Sequence, residues 1–337
     1  MTEDLNYTSS VYDYSDSDDT NTEENSVQPF QVFVATLYSI VFIIGIIGNI
    51  LLLCFTFKFL HEMLCSCVFN IALADLLFLI SLPFWAYDAM AEWIFGGFMC
   101  RTVTALYMLG LYESVFSMVL IVLDRYTMVC WAFISIITTS KSKIICFVWI
   151  LSLLASLPNV IFTREIKETR GTVCVHDFPN PAWRSFTFLN MNLLSFIIPL
   201  IIIVFCYLQL YCKLFKLMMS EYQDKKSQVS MRLITMLAVV VVHFLFWAPY
   251  NITLFLIILQ TNGYLQTFEW SNGLNLAMQW VEIVAYSHCS LNPIIYVLFE
   301  PIFREKIIET FQEFSARFCR FSATSLEEVT DVPPLGL

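Results

Sequence analysis

Charged residues are scarce in this chain of 337 residues: they make up 14%, where soluble domains carry about 25%. That scarcity excludes the two soluble domains that length alone would allow. Basic residues are missing altogether from positions 1–30, which hold eight acids: Glu3, Asp4, Asp13, Asp16, Asp18, Asp19, Glu23 and Glu24. With neither a basic stretch nor an apolar run there, a cleavable signal peptide is not expected, and the first apolar run must act as its own signal-anchor. Self-repulsion and low hydrophobicity make 1–30 an acidic, disordered extracellular tail. Histidine occurs four times, at His61, His176, His243 and His288, in different segments and without the spacing of a metal motif. No serine or cysteine nucleophile has a base arranged with it, so neither a catalytic centre nor a metal site is expected. The net charge of −10 points to a basic partner rather than to nucleic acid.

Apolar residues, by contrast, reach 58%, and phenylalanine alone occurs 31 times. Seven apolar runs fall at about 31–57, 67–90, 99–126, 143–163, 187–217, 229–259 and 274–298. Each can supply the roughly 20 residues with which a helix crosses a bilayer. The fold expected is an all-α membrane protein: a seven-transmembrane helix bundle over 31–298, followed by a cytoplasmic segment over 299–337. With the N-terminus outside, 13 of the 18 basic residues lie on the cytoplasmic side. The outer side keeps five: Arg101, Arg164, Lys167, Arg170 and Arg184. Basic residues concentrate on the cytoplasmic flanks of spans, so this bias supports that orientation.

The runs carry polar residues at a few fixed places. Asp75 lies in the second. Asp124-Arg125-Tyr126 ends the third, Phe246-Trp247-Ala248-Pro249 lies in the sixth, and Asn292-Pro293-Ile294-Ile295-Tyr296 ends the seventh. A charge at the centre of a spanning helix costs on the order of 2.5–3.5 kcal/mol by insertion scales, so such groups persist where a bundle interior pairs or hydrates them. In this order the marks resemble the rhodopsin-like G-protein-coupled receptors, over nearly the whole chain. Four longer stretches narrow the resemblance: Ser81-Leu82-Pro83-Phe84-Trp85-Ala86, Ser156 to Thr163, Phe244 to Asn251, and His288 to Tyr296. They are similar to chemokine receptors, and most to the CC subgroup.

That resemblance implies a set of roles. Chemokine receptors carry sulfated tyrosines in acidic tails; here Tyr12 and Tyr14 are the candidates, the alternative being an unmodified acidic tail. Asn6-Tyr7-Thr8 is a glycan acceptor motif, which marks Asn6. Of eleven cysteines, only Cys100 and Cys174 lie in outer positions, where an oxidising compartment pairs them and pins the second outer loop over span three. The residues around Thr172-Val173-Cys174-Val175 in that loop read as a short hairpin. One departure stands out. The family's usual second disulfide, from tail to third outer loop, has no cysteines to form it: none occurs over 1–53 or 257–286. The tail is therefore expected to be freer relative to span seven.

The resemblance places Tyr38, Trp85, Tyr107 and Glu282 around a ligand cavity, with Tyr250 adding to its wall. Glu282 stands ten residues outward of Asn292, about 15 Å at helical rise. A carboxylate ringed by aromatics suits an ammonium or guanidinium of a ligand; the alternative is an interhelical hydrogen-bonding glutamate. Asp88 reads either as a second acidic lip residue or as a solvated loop end. Prolines 83, 158, 199, 249 and 293 allow bends. The resemblance makes Trp247 the rotamer-sensitive residue beside the Pro249 bend, Arg125 the partner of Asp124 in the inactive state and of a G protein in the active one, and Tyr207 and Tyr296 the tyrosines that rearrange around it. It also makes Asn49, Asp75, Ser114 and Asn292 a buried polar cluster that holds either water or an allosteric sodium ion.

Further departures bear on coupling. Thr127-Met128-Val129-Cys130 replaces the family's leucine-alanine-isoleucine type of sequence after Tyr126, a change also compatible with a decoy receptor. Val229 stands where other relatives place an acid at the base of span six, so no clamp between that span and Arg125 is expected. Glu113, midway along span three, should face a neighbouring helix and be neutral or hydrogen-bonded there. Phe303, Ile307, Phe311, Phe314 and Phe318 recur at helical spacing, which reads as an amphipathic helix on the inner leaflet. Cys319 at its end is a candidate for palmitoylation. The expected partners are a chemokine, a heterotrimeric G protein, arrestin at the short tail, and the lipid membrane. A transporter, the reading from another class, would need inverted repeats or broken helices, and the sequence shows neither.

Overall fold

In hydrocarbon a backbone amide has no partner except a carbonyl of its own segment, so each long apolar run closes into helix. The structure, a computed structural model, describes residues 20–57, 63–130, 141–168, 171–218, 226–264 and 268–299, together with residue 312. Its helices are α1 (Thr20–Phe57), α2 (Met63–Asp88), α3 (Gly96–Cys130), α4 (Lys141–Phe162), α5 (Pro181–Asn192), α6 (Ile198–Met218), α7 (Lys226–Thr261), α8 (Phe268–Tyr286) and α9 (His288–Phe299). Seven segments are long and apolar enough to cross a membrane: Pro29–Phe57, Ser66–Asp88, Gly96–Met128, Lys141–Phe162, Pro181–Lys213, Met236–Thr261 and Leu276–Phe299. Tyr12, Tyr14, Asn6, Cys319 and, apart from residue 312, the amphipathic segment 303–318 lie outside the described residues.

Three of the spans differ in detail from the sequence expectation. Helix α1 begins at Thr20, inside the stretch expected to lack regular structure; the apolar span proper starts at Pro29. The fifth span starts at Pro181 rather than near 187, because Asn180 caps it by accepting from the Trp183 amide at 3.0 Å and Pro181 occupies the first turn, where no amide partner is needed. It is also not one continuous helix. A π turn over Leu193–Ile197 joins α5 to α6 just before Pro199, whose ring cannot donate to the preceding turn. The seventh span is broken at Ser287 between α8 and α9. Pro293 leaves the carbonyl of Cys289 without its helical donor, and Asn49 on α1 fills that place with its Nδ2 at 3.0 Å. One helix-breaking residue thus becomes a joint between the first and last spans.

Helix α2 packs along both α1 and α3. The approach of α2 to α3 depends on Gly110: a Cβ there would lie 2.6 Å from the Ala74 carbonyl oxygen and 2.9 Å from the Phe78 amide nitrogen. The expected hairpin is present. Strand β1 (Thr163–Glu168) pairs antiparallel with β2 (Gly171–His176), with Glu165 opposite Cys174. Its attachment is firm. Cys174 is disulfide-bonded to Cys100, Trp93 donates its amide to the Thr172 carbonyl at 2.7 Å, and Glu92 accepts from the Thr172 amide at 3.1 Å. Aromatic rings join the first helix to the last span: Phe30 and Phe33 of α1 lie 5.0 and 6.0 Å from the Trp280 ring of α8.

Candidate functional site

A cavity opens beneath the hairpin, at the end of the bundle that the expected orientation makes the outer one. All five residues expected to line it do so: Tyr38, Trp85, Tyr107, Tyr250 and Glu282. Asp88 lines it as well, so that residue is at the lip rather than on a solvated loop. Each arrives from a different part of the chain, on α1, α2, α3, α7 or α8. Ring packing fixes the wall. Tyr286, which sequence reasoning did not single out, stacks on Tyr38 at 5.7 Å and meets Tyr107 at 5.3 Å and Phe78 at 5.2 Å. Its signal was a tyrosine one helical turn beyond Glu282, on the same face.

The Glu282 carboxylate makes no hydrogen bond and no ion pair among the described residues. It sits within electrostatic reach of Tyr107, Tyr250 and Tyr286. The Trp85 indole N–H is also buried without a partner. A carboxyl group among the faces of electron-rich rings offers the chemistry that suits a cationic group, to which each ring face contributes on the order of 0.5–2 kcal/mol.

Behind the cavity wall Trp247 is fully buried, with Tyr250 at 5.4 Å, Phe78 at 6.4 Å and His288 at 5.3 Å between ring centroids. Below it the expected polar cluster comes together. Asp75 accepts from Asn292 Nδ2 at 2.7 Å and from Ser114 Oγ at 3.3 Å. Asn49 reaches the same level through the Cys289 carbonyl. The cluster therefore ties α1, α2, α3 and α9 at mid-depth. Sequence spacing did not disclose that His243 and His288 meet here, 5.2 Å apart between centroids, or that His288 and Cys289 stand beside Asp75. Adjacency of the sixth and seventh spans brings them together, and no local motif records it.

At the inner end, Arg125 reaches Asp124 at 3.5 Å and points a second nitrogen at Met128 Sδ, 3.7 Å away. Thr127 donates to the Asp124 carbonyl at 2.9 Å. Tyr126 turns away towards Phe205 of α6, 6.1 Å between centroids. Tyr207 and Tyr296 pack in the aliphatic cluster of the inner half. Pro249 lies within α7, above these residues. Val229, which led to the expectation of no clamp, has no described side chain. Glu113 faces α4, as expected: its two oxygens accept from Ser117 and Ser152, each at 3.0 Å.

These features coincide with a family pattern. The sequence matches the family described as 7 transmembrane receptor (rhodopsin family) over residues 48–296. The match spans well over half of the chain and includes every mark from Asn49 to Tyr296. It describes a receptor family rather than an enzyme family, and it agrees with a multi-pass membrane protein whose partners are a ligand and a G protein. The chain belongs to the rhodopsin family of seven-transmembrane receptors.

Proposed function

We propose that this receptor sits in the plasma membrane with its N-terminus outside, binds a chemokine, and activates a heterotrimeric G protein of the inhibitory class. The observation that carries the reading is Glu282, an unpaired carboxylate in an outward cavity walled by Tyr38, Trp85, Tyr107 and Tyr250. Chemokines are mostly basic. The acidic tail, with Tyr12 and Tyr14 sulfated and Asn6 glycosylated, attracts such a protein by charge. The ligand's leading cationic group then enters the cavity and meets Glu282. Pressure on Tyr250 and Trp247 is passed to α7, which bends at Pro249 and opens the inner face around Arg125, Tyr207 and Tyr296. An amphipathic helix over 303–318, with Cys319 palmitoylated, rests on the inner leaflet, and arrestin docks on the phosphorylated tail. The cluster also has room for the chemistry of a small cation: Asn49 Oδ1 is buried without a partner, and Asp75 and Ser114 offer oxygens. A sodium ion held there would neutralise Asp75.

A second reading rests on Thr127 and Met128. Met128 holds the Arg125 guanidinium through its sulfur, and Thr127 bonds the Asp124 backbone carbonyl beside it. An arginine so held is less free to meet a G protein, which favours a decoy that internalises ligand without signalling. Nucleotide exchange on purified G protein, measured with and without each member of a chemokine panel, separates the two. Signalling predicts ligand-stimulated exchange that Glu282→Gln weakens by at least about ten-fold in potency, the equivalent of about 1.4 kcal/mol. Deletion of residues 1–20 should weaken capture without abolishing the maximal response. If neither change alters binding of any hit, the two-step capture is wrong.

A further inference from the structure

Two methionine sulfurs accept hydrogen bonds among the described residues. Met191 takes the Tyr250 hydroxyl at 3.8 Å and is buried. Met128 takes Arg125 Nη1 at 3.7 Å, is 46% exposed, and is the last residue of its span. We propose that Met128 is an oxidative modification site: a hydroperoxide converts its thioether to the sulfoxide, whose oxygen then holds the Arg125 guanidinium. This rests on the reading of Arg125 as the residue that meets a G protein, and adds a regulator to it.

Three observations support the assignment. The first is access, since a peroxide must reach the sulfur. Of the methionines whose side chains are described, only Met90 and Met128 are exposed, and Met90 lies at the hairpin end of the bundle, near the Trp93 amide that bonds Thr172. The second is how loosely the arginine is held. Its Nη2 stands 3.5 Å from Asp124 Oδ2, where a close charge-assisted bond measures about 2.7–2.9 Å. Its Nε is buried without a partner. A thioether is only a weak acceptor. One long ion pair and one weak contact are therefore what restrain the guanidinium.

The third is geometry. Arg125 and Met128 stand three residues apart, so their side chains are neighbours on one face of α3. An S–O bond followed by a hydrogen bond of about 2.7–2.9 Å, bent at the oxygen as acceptors prefer, spans the 3.7 Å between Sδ and Nη1 without moving either atom. The chemistry balances. The sulfur lone pair attacks one oxygen of the hydroperoxide, the S–O bond forms as the O–O bond breaks, and the sulfur gives up two electrons. The proton of the attacked oxygen passes to the leaving one, which departs as water or an alcohol. A reductase dithiol reverses the step, with a disulfide and water as products. Because Met128 is exposed, the polar sulfoxide stays hydrated on its outer side. The weak sulfur contact becomes a charge-assisted bond, made only while Arg125 stays in place, so the arrangement in which it swings out to a partner is disfavoured.

The test treats the full-length receptor in lipid nanodiscs with dilute hydrogen peroxide. Peptide mapping by mass spectrometry should find the sulfoxide at Met128 well before the buried Met118 and Met236. Oxidation should raise the unfolding temperature of the wild type and not that of Arg125→Leu. Nucleotide exchange on a purified inhibitory-class G protein, measured ligand-free and with each member of a chemokine panel, should fall about ten-fold on oxidation. The two methionine sulfoxide reductases should restore it. Met128→Leu should be insensitive to peroxide, and Met90→Leu should respond as the wild type does. Met128 oxidised no faster than Met118, a temperature shift that is equal in Arg125→Leu, exchange that survives oxidation of Met128, or exchange that peroxide lowers equally in Met128→Leu would each overturn the assignment. If the untreated receptor drives no exchange with any chemokine, the coupling reading fails, and the mapping and temperature arms still decide whether the sulfoxide holds Arg125.

Discussion

Above Asp75 the bundle is packed with rings: Tyr38, Phe78, Tyr107, Trp247, Tyr250 and Tyr286 share one cluster. Below it the shared cluster is largely aliphatic, with Leu52, Ile71, Ile121, Ile203 and Val240 among its members. The contrast is physical. Aromatic contacts depend on angle, and ring pairs are worth about 0.5–1.5 kcal/mol beyond their buried area only when they are offset or edge-on. Aliphatic contacts are nearly direction-free and tolerate repacking. The outer half therefore has one preferred arrangement, suited to reading a ligand. The inner half can slide between arrangements at small cost, suited to admitting a partner. Pro249 lies within the ring-packed half, between Trp247 and Tyr250.

Substitutions can break this comparison or sharpen it. Phe78 touches Tyr107, Trp247, Tyr286 and His288 at once. Phe78→Ala should cost about 3–5 kcal/mol, seen as a large fall in unfolding temperature in nanodiscs together with loss of ligand binding. Replacing both Cys100 and Cys174 by serine should cost about 2–4 kcal/mol, confined to the outer half. Hydrogen exchange should rise in the hairpin and not in α6 or the inner turns of α3; a uniform rise would contradict the division. Glu113→Ala leaves Ser117 without its buried acceptor, Ser152 keeping the Val148 carbonyl at 2.9 Å, and should cost about 1–3 kcal/mol, while Glu113→Gln keeps one acceptor and should cost less. Ile71→Val, fully buried in the inner half, should cost only about 0.5–1.5 kcal/mol and leave ligand affinity unchanged.

The smallest effect concerns pH. Burial first, and then the charge of Arg184, pulls the His176 imidazole down from its ordinary 6.5 to about 4. The folded hairpin thus holds this ring neutral, with Nδ1 3.0 Å from the Thr163 hydroxyl. Between those two values the unfolded hairpin binds more protons than the folded one, so stability rises with pH there. The contribution is complete above about pH 6.5 and is lost progressively as pH falls towards 4. Amide protection of Thr163 and His176, followed from pH 7 to pH 4.5, should fall in the wild type and stay level in His176→Gln.

The fold was legible because hydrocarbon leaves a long apolar run one backbone solution, and because residues such as Asp75 and Arg125 are tolerated there only under special pairing. The lining of the cavity was legible through resemblance, one residue per span. What stayed hidden were relations between spans. The Ser152 hydroxyl that meets Glu113, the Asn49 amide that serves the Cys289 carbonyl, and the approach of His243 to His288 all depend on how helices rotate against each other. A sequence records such rotation only weakly when, as in α2 and α3, nearly every face is apolar. The π turn at Leu193–Ile197 escaped notice for a related reason: Pro199 announces a bend but not how the backbone absorbs it.

Phe30 and Phe33 against Trp280 join the first helix to α8 without any covalent bond. Two such ring contacts hold with energies only a few times thermal agitation, so this clasp unlatches and refastens spontaneously, with no reductant involved. The rim of the vestibule between the first and last spans is consequently a side door, one that a bulky ligand could push ajar and that warming alone would loosen.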